Sequence, residues 1–121
     1  MSFQFYKILH MVSLMALFFS FGGALVLGYA GVPLQGRAKK MTMILHGVSL
    51  IVILISGFGM AARLGYMSNL PGWIHGKLAI WVLLGAGIAL VKRKGNLGWP
   101  LVVLILGLGT TAAILAVTKP F

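Results

Sequence analysis

Four apolar runs, each about as long as a bilayer is thick, alternate with short stretches that hold nearly all the charge. The runs cover 8–28, 41–62, 73–91 and 99–117. A helix needs roughly 20 apolar residues to cross the hydrocarbon core, so each run predicts a membrane-spanning helix. Tyr6 and Tyr29 frame the first run and Trp73 opens the third, as interfacial aromatics do. Pro100 falls in the first turn of the fourth, where its missing N–H leaves no bond unmade. The first run is longer than the 7–15 apolar residues of a secretory signal, so it reads as a span. Short connections make successive helices antiparallel. The expected fold is all-α, an integral membrane four-helix bundle of up-down topology, in a single transmembrane domain over 1–121.

Polar residues inside the runs are not scattered. His46, Ser49, Ile53, Ser56, Met60 and Arg63 follow three- and four-residue steps along one helical face, and His10, Ser13, Leu17, Ser20 and Ala24 do the same. Lipid offers no hydrogen-bond partners, so both stripes should face the bundle interior. The first two runs also match at an offset of 36: Leu9/Leu45, His10/His46, Val12/Val48, Ser13/Ser49, Leu14/Leu50, Ser20/Ser56 and Gly23/Gly59. Because the two helices run in opposite directions, the repeat puts His10 near one membrane face and His46 near the other. Glycines recur where helices should touch, among them Gly57, Gly59, Gly76, Gly85, Gly87 and Gly109.

Charge narrows the chemistry. The chain has 121 residues, 60% of them hydrophobic, and its mean hydropathy is +1.07. It contains 10 Lys and Arg but no Asp or Glu, for a net charge of +10. Carboxylate dyads, Ser-His-Asp triads, hard-cation sites and carboxylate proton relays are therefore excluded. The cations must be met by water, the phosphates of anionic lipids, a partner subunit or an anionic ligand. Nucleic acid is a poor partner, because these charges flank spans and form no basic face. With no cysteine, disulfides and thiolate metal sites are out. Arg37, Lys39, Lys40, Lys92, Arg93 and Lys94 gather on one side of the membrane, against Lys7, Arg63, Lys77 and Lys119 on the other. That excess puts the two clustered loops in the cytoplasm and both termini on the non-cytoplasmic side.

The histidines carry the candidate chemistry. His10 and His75 each lie two residues past the start of a span, and those spans begin at the same face. At about 1.5 Å per residue the two imidazoles come to one depth. Two neutral imidazoles at one level on inward-facing helices suit the axial positions of a haem iron. Lys7, Arg63 and Lys77 fall at that same end and would meet two propionates. The expectation is a haem b between the first and third spans, with His10 and His75 as metal ligands. His46 is expected to be structural unless it pairs across a homodimer. A copper site is the other metal reading, with Met41, Met43 and His46, or His10, Met11 and Met15, as soft ligands for Cu(I).

The motifs resemble the HemJ-type protoporphyrinogen IX oxidase family and its CopD-like relatives. Tyr6-Lys7-Ile8-Leu9-His10 is similar to the family's opening, and Lys39-Lys40-Met41 to the basic start of its second helix. Gly72-Trp73-Ile74-His75-Gly76-Lys77-Leu78 resembles its Gly-Trp-Leu-His-x-Lys-Leu, and Val117-Thr118-Lys119-Pro120-Phe121 its ending. The resemblance implies haem binding at His10 and His75 and a catalytic role for Lys77. It also implies a six-electron oxidation of protoporphyrinogen, with electrons passed to a further acceptor in a bacterial inner membrane. The chain departs from that pattern in having Gly85-Ala86-Gly87-Ile88 where the family has a Tyr-His pair, and His46-Gly47 where it commonly has Thr-Pro. Two other readings stay open: a non-catalytic accessory subunit of a larger membrane complex, homo-oligomeric or mixed, and a copper-handling protein.

Overall fold

The computed structural model describes residues 2–32, 35–94 and 98–118, apart from the side chains of Lys92 and Lys94. Those two side chains, Gly95 and Asn96 of the basic turn, and the Lys119-Pro120-Phe121 ending lie outside the described residues. The described residues form four helices: α1 (Phe3–Tyr29), α2 (Gly36–Arg63), α3 (Gly72–Lys94) and α4 (Trp99–Thr118). All four are long and apolar enough to cross a membrane, and the protein is an integral membrane four-helix bundle.

The helices outrun the apolar runs that announced them. α1 starts at Phe3, where the Ser2 side chain accepts from the Phe5 N–H at 3.1 Å as an N-cap. α2 takes in Arg37, Lys39 and Lys40 as its first turns, where a loop was expected. Apolar length measures only the hydrocarbon-spanning part, whereas a helix continues into the interface for as long as its side chains can reach water. The first two helices stop in the same way. Gly31 (φ +75°) and Gly65 (φ +80°) adopt the left-handed conformation just past each end. The following N–H groups turn back, Val32 to the Leu27 carbonyl and Tyr66 to the Ala61 carbonyl, both at 2.9 Å.

α1 packs along α2 and α3 along α4, and the two pairs meet mainly where α3 touches α1 and α2. The seam holds Leu17, Phe21, Ala24 and Leu25 of α1, Ile53 of α2, Ile80, Leu84, Ile88 and Val91 of α3, and Leu101 and Ile105 of α4. The predicted stripes form part of it: His10, Ser13, Leu17, Ser20 and Ala24 are buried, as are His46, Ser49, Ile53 and Ser56. The outer faces are apolar as well, with Met15, Phe19, Ile51, Ile55 and Val103 exposed, which suits hydrocarbon and not water. The Trp81 indole N–H donates to the Leu50 carbonyl at 2.9 Å and ties α3 to α2.

Candidate functional site

At the end of the bundle that carries the starts of α1 and α3 and the ends of α2 and α4, the helices spread around a cavity of about 890 Å³. That volume is within the range of roughly 300–1,000 Å³ usual for small-molecule sites. Its walls are overwhelmingly apolar. α1 contributes Phe3, Met11, Leu14 and Phe18, and α2 contributes Leu54, Gly57 and Phe58. α3 adds Trp73, Ile80 and Trp81, and α4 a run of small residues from Gly109 to Ala116. The cationic lining groups are Lys7, exposed at the rim, and Lys77, half-buried in the wall. Lys77 lines the same cavity as His10. Tyr66 lines the cavity and meets Trp73 edge to face, with ring centres 5.9 Å apart.

His10 is the one histidine lining this space, and its geometry is specific. Its Nδ1 lies 2.9 Å from the Ser56 hydroxyl and 3.2 Å from the Ile53 carbonyl. The Ser56 hydroxyl donates its own hydrogen to the Val52 carbonyl at 2.7 Å, or to Ile53 at 3.1 Å. Both neighbours of Nδ1 are therefore acceptors, which puts the imidazole proton on Nδ1. Nε2 keeps its lone pair and makes no hydrogen bond among the described residues. A ring held by a hydrogen bond through one nitrogen, with the other free, is the usual arrangement of a metal-ligating histidine. α2 has a glycine beside the ring: a Cβ on Gly57 would lie in ordinary van der Waals contact with His10 Cε1 at 3.5 Å, and a longer side chain would need the space the ring borders. One turn toward the α1 start, the Tyr6 ring lies where any side chain on Gly59 would have to go.

His75 does not join His10. It is exposed, and it is absent from the cavity lining. The reason is helical period. The inward face of α3 runs through Trp73, Lys77, Ile80, Leu84, Ile88 and Val91 in three- and four-residue steps. His75, two residues from both Trp73 and Lys77, points the opposite way. Shared depth was read as shared direction, and the fold corrects that. Arg63 also departs from expectation: the α2 stripe stays inside to Ser56 and reaches the surface at Arg63.

His46 is buried near the opposite end, its Nε2 3.4 Å from the Gly85 carbonyl and its ring edge-on to Phe21. Met41 and Met15 are exposed on the outer faces, Met11 is exposed yet borders the cavity that His10 lines, and Met43 packs against the core. No cluster of three metal-ligating His, Cys, Asp or Glu side chains occurs among the described residues.

Sequence reasoning missed Ser56 as the partner that orients His10, although both were on the predicted stripes. It also missed Gly57, whose helical position beside Ser56 was the available signal. Comparison with known protein families, curated proteins and solved structures finds no match.

Proposed function

We propose that the protein binds a tetrapyrrole, haem b or a close relative, in the cavity at the terminal end of the bundle. The observation that carries this reading is His10: a neutral imidazole of fixed tautomer, offering an Nε2 lone pair to a large apolar space. The cavity walls suit the flat, apolar macrocycle. Lys7 and Lys77 suit the propionates, which would bring the anions that a chain without Asp or Glu lacks. The donor set thus fits haem through a single histidine, and His75 has no part in the ligation. Bound haem supplies one-electron redox chemistry. The chain orients the ligating imidazole through Ser56, excludes water with Phe58, Trp73 and Trp81, and neutralises charge with its two lysines.

The HemJ-type resemblance extends this reading to oxidation of protoporphyrinogen, with Lys77 as the half-buried cation of the cavity wall. Membranes bearing the protein should then consume protoporphyrinogen, and Lys77→Ala should abolish that activity. Binding itself is tested by purifying the full chain in mild detergent and titrating it with haemin. A saturable Soret band at one equivalent supports the site. A spectrum no different from haemin in empty micelles overturns it.

A further inference from the structure

The internal repeat has a counterpart in space. α1 and α2 are antiparallel, and His10 of α1 bonds Ser56 of α2. The residues equivalent to these by the 36-residue offset are His46 on α2 and Ser20 on α1. A two-fold exchange of the helices would therefore set His46 Nδ1 against the Ser20 hydroxyl. The fold leaves that second pairing open. His46 Nε2 turns toward the Gly85 carbonyl of α3, which requires the proton on Nε2 and leaves a lone pair on Nδ1. That Nδ1 is buried and has no hydrogen-bond partner, in a side chain only 3% exposed. Ser20 donates to the Leu17 carbonyl at 2.6 Å and retains its acceptor lone pairs.

Two neighbours on the same face of α2 are polar as well. Thr42 and Ser49, four residues before His46 and three after it, are buried. Neither hydroxyl makes a hydrogen bond among the described residues. By contrast Ser13, Ser20, Ser56, Thr110, Thr111 and Thr118 all return theirs to a backbone carbonyl of their own helix. Buried polar groups in a membrane bundle find partners, and where protein supplies none an ordered water does, usually through about three hydrogen bonds.

We infer that His46, Ser20, Thr42 and Ser49 enclose a second, hydrated polar site in the half of the bundle remote from the cavity. Its water donates to His46 Nδ1 and to Ser20 Oγ, and accepts from the Thr42 or Ser49 hydroxyl. The site repeats the His10–Ser56 arrangement with a water inserted between imidazole and hydroxyl. It gives a chain without Asp or Glu a buried imidazole in contact with water. The inference stands whether or not the cavity at the other end takes a tetrapyrrole.

The test is solid-state NMR of the full chain, uniformly labelled with ¹⁵N, in lipid bilayers, with polarisation transferred from water. His46→Asn identifies the His46 signals. The expected result is an unprotonated Nδ1 that gains polarisation much faster than the backbone nitrogens of Leu17 and Phe21. Combined Ser20→Ala and Ser49→Ala replacement should slow that transfer several-fold. A protonated Nδ1, transfer as slow as at Leu17 and Phe21, or transfer unchanged in the double variant would each overturn the proposal. The first two readings do not depend on the double variant, so a folding failure there leaves the inference open to refutation.

Discussion

His10 is anchored by a hydroxyl that is itself anchored, since Ser56 passes its hydrogen to Val52 and offers His10 an acceptor. Loss of an outer-shell partner of this kind weakens a metal-ligand site by roughly 10–100-fold. Ser56→Ala should therefore weaken haem binding by about that factor while leaving the band shape intact, because the Ile53 carbonyl still holds Nδ1. Equilibrium titration checks it. Gly57→Leu acts on the same ring from the other side: the extra atoms need the space that His10 Cε1 borders at 3.5 Å. That variant should fold and fail to take up haem, as read from the Soret absorbance at one equivalent.

At the scale of the helix, much of the bundle was legible. Each apolar run became a helix, and the polar stripe on α1, with that on α2 as far as Ser56, became an inward face, because lipid leaves a serine or histidine nowhere else to go. Direction within α3 was harder to read. Its inward face is marked by Trp73, Ile80, Leu84 and Ile88, residues as acceptable to lipid as to a core, so hydropathy alone does not separate the sides. His75 stands out as polar, yet near a helix start at the interface it can turn to water and needs no interior partner. Lys77, two residues on, is the polar group on the inward face. The cavity itself arises from how four helices splay at one end, which no single helix encodes. Cross-helix hydrogen bonds then fix α3 on α2. Trp81→Phe removes the indole bond to the Leu50 carbonyl and should cost about 0.5–1.5 kcal/mol, measurable as earlier unfolding in a denaturant series in detergent. Gly59→Val should do more damage, because the Tyr6 ring occupies that space and α1 would have to move off α2.

For the molecule as a whole, charge asymmetry predicts an orientation. Arg37, Lys39, Lys40 and Arg93 are all exposed at the end remote from the cavity. Arg37, Lys39 and Lys40 sit in the first turns of α2, where the helix dipole disfavours cations, so helix preference does not account for their position. With no native cysteine, the orientation can be mapped directly. Ser2→Cys and Ser68→Cys should react with an impermeant thiol reagent on intact cells, and Ala38→Cys only after permeabilisation. The reverse pattern would place the cavity at the cytoplasmic face.

The most direct test of the account is the visible spectrum of haem-loaded protein, oxidised and reduced, compared among the wild type, His10→Ala and His75→Ala. One imidazole from α1, held by Ser56 and open to the cavity, predicts that His10→Ala loses the native Soret position and retains little haem, while His75→Ala is indistinguishable from wild type. Equal loss in both variants, or a wild-type spectrum that survives His10→Ala, would contradict it.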